Sequence, residues 1–225
     1  MTFPDGSVAT VVYAATGEQS PLSGSQVIGL GTLRSNDGGS TWSFHTTSVS
    51  GGAFDVIPSL YSYDLDVHPS NPEDVVLGTA NGIFRSTDGG RTWVNRLPAT
   101  GEGLEWRRQG VNIARSPANP NVLWAGLWGG LAFSTDGGDT WQVAFEDIAQ
   151  QVGFNGIPIR SLVAISPSNP SRIYWLVAGY DSQRGYSQVG VFRSDNGGQN
   201  WGTALGPPTG QGYPLISGTQ GWTFL

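Results

Sequence analysis

The chain has 225 residues, of which 38% are apolar and 11% aromatic, and a chain of this length and composition can bury a hydrophobic core. Its 34 Gly and 14 Pro predict many turns, which favours an all-β protein. The net charge of −6, carried without any Lys, argues against nucleic acid as a partner, and the absence of Cys excludes disulfides and thiolate metal sites. No apolar run is long enough to span a membrane, so we expect no membrane insertion.

An eight-residue segment that ends in Trp occurs four times, about 50 residues apart: SNDGGSTW, STDGGRTW, STDGGDTW and SDNGGQNW. We call these segments octets and number them in chain order. Their recurring positions are Ser35, Asp37, Gly39, Trp42, Ser86, Asp88, Gly90, Trp93, Ser134, Asp136, Gly138, Trp141, Ser194, Asn196, Gly198 and Trp201. A second motif, an Asn-Pro turn, keeps the same phase at His68–Pro72, Ser116–Pro120 and Ser166–Pro170.

The segments between these turns have the patterns of β-strands. Before each Asn-Pro turn lies a first strand, at Tyr63–Val67, Val111–Ala114 and Ser161–Ile165. After each turn comes an almost continuously apolar run, as expected of a strand covered on both faces, at Val11–Ala14, Val75–Thr79, Val122–Ala125 and Ile173–Val177. A third strand enters the octet and an alternating, half-exposed fourth strand leaves it. Each repeat is therefore predicted to contain four strands.

Repeats of four strands and about 50 residues are typical of the blades of a β-propeller. The octets themselves resemble the Asp-box, or BNR, repeat (Ser-x-Asp-x-Gly-x-Thr-Trp) of sialidases, sortilin-type receptors, xyloglucanase-like glycoside hydrolases and photosystem assembly factors. The resemblance implies an all-β propeller of four-stranded antiparallel blades. It leaves the function open, because the family contains both enzymes and binding proteins.

The repeats predict a single β-propeller over residues 1–225 that is part of a larger one. The predicted blades are blade 1 at about 1–55 with its first strand missing, blade 2 at about 59–100, blade 3 at about 108–150, blade 4 at about 157–210, and the start of a further blade at about 219–225. The alternative is a closed four-bladed ring in which residues 222–225 supply the missing first strand.

The octet combines a carboxylate with hydroxyls, which suggests either a catalytic or cation site or a hydrogen-bonded hairpin turn. The fourth copy has Asn196 in place of the Asp and Asn200 in place of the Thr. Asn accepts the hydrogen bonds of a turn but cannot act as a catalytic carboxylate. We therefore interpret the octets as structural, and we expect no metal site and no cofactor.

In an up-and-down blade the Asn-Pro turns and the octets share one face, and the loops of variable length share the opposite face. These loops carry the side chains that we predict to bind a ligand, because aromatic rings stack on sugars and Arg binds hydroxyl or acidic groups: Trp106, Arg107, Arg108, Trp128, Tyr180, Arg184 and Tyr186. Carboxylates that could act in catalysis are Glu18, Asp55 and Asp181.

Two function classes follow. The first is a binding scaffold for a polysaccharide, another glycan or a protein, and the second is a glycoside hydrolase with two opposed carboxylates. No convincing sialidase entry motif is present, since Ile157–Arg160 does not match it, and Glu18 stands one place after the position of the xyloglucanase-like Asp. We favour binding over catalysis. The resemblance also implies an extracellular or periplasmic protein, although residues 1–7 lack the features of a signal peptide.

Overall fold

The computed structural model describes residues 10–19, 26–27, 29, 31–45, 48–49, 61–98, 110–144, 148, 151, 157–181 and 185–205. The chain divides into two compact units, Met1–Ile113 and Ala114–Leu225. Each unit is built from sheets whose principal strands are antiparallel and follow one another in the up-and-down order predicted for propeller blades.

The first sheet of unit 1 has three strands in the order β1-β4-β5, namely β1 (Val12–Ala15), β4 (Thr32–Ser35) and β5 (Ser43–His45). A separate two-stranded ribbon, β2 (Glu18–Gln19) and β3 (Gln26–Val27), forms in a segment that the sequence predicted to be a loop. Its register places Glu18 opposite Val27. The long connection between the second and third strands of this repeat is therefore partly ordered by its own hydrogen bonds.

The second sheet contains β7 (Ser62–Val67), β8 (Val75–Thr79), β9 (Gly82–Ser86) and β10 (Thr92–Pro98). A short strand, β6 (Ser48–Val49), adds to its edge parallel to β10, which the antiparallel pattern of the repeats did not predict. All five residues of β8 are buried, as its continuous apolar sequence predicts. A bulge between Asn95 and Leu97 interrupts the register of β10.

Most of unit 2 consists of two four-stranded sheets. The boundary between the units, after Ile113, falls within the first strand of the third sheet. The third sheet consists of β11 (Gly110–Arg115), β12 (Leu123–Leu127), β13 (Gly130–Ser134) and β14 (Gln142–Val143). The fourth consists of β15 (Ile157–Ile165), β16 (Ile173–Asp181), β17 (Gly185–Ser194) and β18 (Gly202–Leu205). Strands β16 and β17 are nine and ten residues long, whereas β12 and β13 have five each.

The core of each unit includes a Trp from an octet. In unit 1, Trp93 is fully buried with Val75, Leu77 and Phe84, and Tyr13 of the first sheet packs against this cluster. In unit 2, the Trp201 ring lies 5.7 Å from the Trp124 ring and 6.4 Å from the Trp175 ring, both in edge-to-face geometry. The octet Trp of one sheet therefore packs against apolar residues of the preceding sheet in each unit.

Polar contacts reinforce the packing of the two sheets in unit 1. The Tyr13 hydroxyl donates a hydrogen bond of 2.6 Å to the carbonyl of Pro72, and burial raises the pKa of Tyr13 to about 12, so it remains a donor. The Arg34 guanidinium lies 5.6 Å from the Tyr13 ring centroid and pairs with Glu73, with an Nη1–Oε2 distance of 2.8 Å. Sequence patterns could not predict these contacts, which join residues far apart in the chain.

Candidate functional site

Each octet is a closed network of hydrogen bonds. In the second copy, the Ser86 hydroxyl donates to Asp88 Oδ1 (2.8 Å) and accepts from the Gly90 N–H (2.8 Å). Asp88 accepts from the Thr92 N–H at Oδ1 (2.8 Å) and from the Thr92 hydroxyl at Oδ2 (2.6 Å). The Trp93 indole N–H donates to the Gly90 carbonyl at 3.1 Å. Both oxygens of the carboxylate are thus occupied within the turn.

The other three octets repeat this network, including the fourth copy in which Asn replaces Asp. Asn196 Oδ1 accepts from the Ser194 hydroxyl (3.0 Å) and from the Asn200 N–H (2.9 Å). The Trp201 indole N–H donates to the Gly198 carbonyl at 3.0 Å. The amide oxygen of Asn196 therefore takes the place of one carboxylate oxygen. The hydrogen bond from a Thr hydroxyl to the second carboxylate oxygen is absent from the fourth octet, because Asn200 replaces the Thr.

The octets are joined to the Asn-Pro turns by a backbone hydrogen bond that recurs in the three repeats with both motifs. The N–H of the first octet Gly donates to the carbonyl of the residue after the Pro, at 2.9 Å from Gly89 to Glu73. The distance is 2.9 Å from Gly137 to Asn121 and 2.8 Å from Gly197 to Ser171. The two turns of each repeat therefore lie at the same end of their sheet.

The octet carboxylates have the wrong pKa for acid or base catalysis near neutral pH. Hydrogen bonds from the Thr41 hydroxyl, the Thr41 N–H and Ser35 lower the pKa of Asp37 to about 2. Burial acts to raise the pKa of Asp136, but hydrogen bonds from Thr140 and Ser134 outweigh it and the pKa falls to about 2. A general base gains efficiency when its pKa lies near the operating pH, and these groups lie far below it.

The lowered pKa values predict an acid-dependent loss of stability. The unfolded pKa of Asp is about 3.9, so the contribution of these carboxylates to the folding free energy is complete above about pH 4. It is lost as the pH falls towards the folded value of about 2. We expect the melting temperature of the wild type to fall between pH 4 and pH 2, and to fall less in the triple variant Asp37→Asn/Asp88→Asn/Asp136→Asn, as followed by circular dichroism.

A pair of single variants serves as the control at pH 7. Asp88→Asn keeps an acceptor for the turn, as Asn196 does, and should cost less than about 1 kcal/mol, whereas Asp88→Ala leaves the turn donors unpaired and should cost about 1–3 kcal/mol. Equal losses in the two variants would show that the charge, rather than the hydrogen bonds, stabilises the octet.

At the end of the sheets opposite the octets, the hairpins of unit 2 differ in length. The β12–β13 hairpin closes at Leu127 and Gly130, so Trp128 lies in this tight turn, where it is half-buried. The β16–β17 hairpin continues past the corresponding pair, Val177 and Gly190, through a bulge. This extension, predicted from the sequence to be a loop, forms a two-stranded ribbon because its aromatic and β-branched residues favour extended backbone.

Several predicted ligand-binding and catalytic residues lie in this ribbon. The register places Tyr180 opposite Tyr186 and Asp181 opposite Gly185. The backbone thus brings two of the predicted aromatic residues and one predicted carboxylate together. Other predicted residues lie outside the part of the chain that the structure describes: Asp55, Trp106, Arg107, Arg108 and Arg184.

Asp64 is a partly buried carboxylate that was not identified from the sequence. Burial raises its pKa, although its oxygens accept hydrogen bonds from the Ile113 N–H (2.7 Å) and the Leu65 N–H (2.9 Å). Both partners are backbone groups within unit 1, so Asp64 stabilises the junction between two first strands. In the sequence, the one indication of this role is that Asp64 is acidic, whereas the equivalent positions of the later repeats are Asn112 and Leu162.

A surface cavity of about 510 Å³ lies beside the fourth octet. It is lined by Arg193, Asp195, Asn196, Asn200, Trp201, Gly202, Thr203 and Ala204. The cavity lies at the octet end of the fourth sheet, whereas the predicted ligand-binding residues Tyr180 and Tyr186 lie at the opposite end of that sheet. The available sequence signal was Gly202, which follows the octet Trp where the other repeats have Ser43, Val94 and Gln142.

Within the described ranges, no group of three or more His, Asp or Glu side chains is placed to hold a metal ion. The same part of the chain contains no helix that is long and apolar enough to cross a membrane.

No protein-family model and no curated protein sequence matches the chain. Solved structures do match it. An ancestral GH74 enzyme shares 22% sequence identity with a TM-score of 0.58, over 80% of this chain and 22% of that chain. The chain has a β-propeller fold. The all-β, bladed fold class predicted from the repeats is therefore confirmed.

Two further solved structures are more distant. The GH74 xyloglucanase from Xanthomonas campestris shares 17% identity over 87% of this chain and 36% of that chain, with a TM-score of 0.44. YCF48 from Cyanidioschyzon merolae shares 20% identity over 62% of this chain and 35% of that chain, with a TM-score of 0.38. The chain thus spans about a fifth of the ancestral GH74 enzyme and about a third of the xyloglucanase.

Proposed function

We propose that this protein is a secreted Asp-box β-propeller that binds a glycan or a protein through the loops opposite the octets. Four octets with one hydrogen-bonding pattern support membership of the Asp-box, or BNR, family. Their internally satisfied side chains support a structural role for this end of the sheets. An extracellular or periplasmic location is part of the same proposal and follows from the resemblance.

The observation that carries the binding proposal is the extended β16–β17 ribbon. The corresponding hairpins of the second and third sheets close at Thr79 and Gly82 and at Leu127 and Gly130. The ribbon continues beyond them and pairs Tyr180 with Tyr186. Aromatic side chains on a rigid scaffold are a common platform for sugar rings, because their flat apolar faces stack on the C–H groups of a pyranose.

Catalysis by a glycoside hydrolase is the second candidate, and the likeness to an ancestral GH74 enzyme favours it. Hydrolysis requires two carboxyl groups on either side of the scissile bond, about 5–10 Å apart. The carboxylates available in the loops are Glu18 on β2, Asp181 on β16 and Asp55. The chain spans only 22% of that enzyme, so the hydrolase candidate does not require both carboxylates to lie in these loops.

Binding is tested with a glycan array followed by titration of the strongest ligand. We expect Tyr180→Ala and Trp128→Ala to weaken binding about tenfold or more. Removing an aromatic side chain that anchors a ligand typically costs more than about 1.4 kcal/mol of binding free energy. Trp42→Ala is the matched control, because Trp42 is exposed on an octet and lies at the other end of its sheet. Equal losses in Trp42→Ala and Tyr180→Ala would contradict the assignment of the binding face.

Catalysis is tested by the release of reducing sugar from xyloglucan and from unsubstituted β-glucan. On the binding proposal, the wild type releases no sugar above a heat-treated control. If the wild type releases sugar, and Glu18→Gln or Asp181→Asn abolishes the release without changing the melting temperature, the protein is a hydrolase and the binding proposal is wrong.

A further inference from the structure

The cavity beside the fourth octet is lined in part by an edge-strand residue that has no side chain, Gly202. Gly202 begins β18 and pairs with Arg193 of β17. A Cβ added at Gly202 would meet no atom within 4 Å, and its backbone is outside the positive-φ region that favours Gly. No conformational requirement therefore explains the Gly. Its effect is to leave open space next to the Arg193 side chain.

The charges at this cavity differ from those at the equivalent place in the second sheet. There, Arg85 precedes the octet Ser and is neutralised by Asp74 through two hydrogen bonds of 2.9 Å. Asp74 is the residue before β8, and the residue before β16 is Arg172. The fourth sheet therefore has Arg172 at the position where the second sheet has Asp74, the carboxylate that neutralises Arg85.

One carboxylate serves the guanidinium groups of both Arg172 and Arg193. Asp195 Oδ1 lies 2.6 Å from Arg172 Nε, and Asp195 Oδ2 lies 2.9 Å from Arg193 Nε. Asp195 occupies the second octet position, where the other copies have Asn36, Thr87 and Thr135. The three groups together carry one net positive charge, at the surface of a chain whose net charge is −6.

Polar groups around this charge complete the site. Asp195, Asn196, Asn200 and Thr203 line the cavity with Arg193, and Trp201 forms an apolar wall. Arg172 is not part of this lining, but it pairs with Asp195 and so leaves the Arg193 charge only partly neutralised. A volume of about 510 Å³ is within the range of small-molecule sites and accommodates one or two sugar rings. Arg binds carboxylates through its planar fork of N–H donors, while amide and hydroxyl side chains suit sugar hydroxyls.

We infer that the cavity formed by Arg193, Gly202 and the polar side chains of the fourth octet binds a carboxylated sugar, with the sugar carboxylate on Arg193. This site is at the octet end of unit 2 and does not depend on the proposed binding face at the opposite end. Because Arg172 and Arg193 are about 40% exposed, the attraction is partly screened, and the binding weakens as salt is added.

The inference is tested on the 225-residue chain by NMR titration with glucuronate, with glucose and sulfate as comparison ligands. We expect glucuronate to shift the amide signals of Gly202 and Thr203, and glucose to cause no comparable shift. Arg193→Gln should weaken glucuronate binding about 10- to 100-fold, the loss expected for one charge-assisted interaction. Gly202→Leu should weaken it similarly by occupying the space beside Arg193.

Arg91→Gln is the matched control, since it removes the same charge from an octet Arg that is outside the cavity, and binding should be unchanged. Circular dichroism melting verifies that each variant is folded. Glucose binding as strong as glucuronate binding, or full affinity in Arg193→Gln, would overturn the inference. Binding of sulfate without glucuronate would also overturn it, because the site would then select an inorganic or sulfated anion.

Discussion

Gly198→Ala is expected to lower the free energy of unfolding by about 2–5 kcal/mol, which is the sum of left-handed backbone strain and overpacking of a core. Gly198 has a φ of 90°, and an added Cβ would lie 2.2 Å from Cζ2 of Trp124. Trp124 cannot easily withdraw, because it stacks on Phe133 at 5.1 Å and contacts Trp201. Urea denaturation monitored by circular dichroism measures the loss.

Gly197→Ala separates the two contributions. Gly197 has a φ of 70°, but an added Cβ would meet no atom within 4 Å. This variant should therefore show the backbone strain alone, about 1–2 kcal/mol. If the two variants lose the same free energy, the close approach of the octet to Trp124 does not contribute to stability.

Trp93→Ala is expected to cost about 3–5 kcal/mol, as is usual for the removal of a buried Trp or Phe. Trp93 is fully buried in the core of unit 1 between its own sheet and Tyr13. The substitution leaves a cavity that the rigid strands around it cannot close. Urea denaturation gives the free energy, and the fluorescence of the remaining Trp residues gives an independent measure of the transition.

Trp42→Ala is the matched variant, because the indole N–H of each Trp donates to a Gly carbonyl in its octet, at 3.0 Å for Trp42 and 3.1 Å for Trp93. Trp42 is 44% exposed, so its loss should cost about 1 kcal/mol, mostly from the hydrogen bond. A similar cost for the two variants would mean that the octet Trp acts through the turn and not through packing between sheets.

The repeats allowed much of the fold to be predicted, because hydrophobic patterns and turn residues act over short distances. The second strands, for example β8, were predicted from continuous apolar runs, and the octet turns were predicted from their Asp and Gly residues. The parallel addition of β6 to β10 was not predicted, since it depends on a distant pairing with no sequence signal of its own. The pairing of Arg34 with Glu73 was missed for the same reason.

The candidate sites were less predictable than the fold. The positions of Tyr180 and Tyr186 suggested a loop, whereas cross-strand hydrogen bonding extends the hairpin into a ribbon. The cavity at Gly202 depends on the absence of a side chain and on the exchange of a carboxylate for Arg172. The changes at Gly202 and Arg172 are single-residue differences between repeats, and their effect becomes visible only when the strands are in register.

A glycan-binding titration of three proteins tests most directly the separation between structural octets and ligand-binding loops. The proteins are the wild type, the triple variant Asp37→Asn/Asp88→Asn/Asp136→Asn, and Tyr180→Ala, titrated with the strongest ligand from the array. We predict that the triple variant keeps its affinity within about twofold and that Tyr180→Ala loses about tenfold or more. Loss of binding in the triple variant with full binding in Tyr180→Ala would contradict this separation and assign the chemistry to the octets.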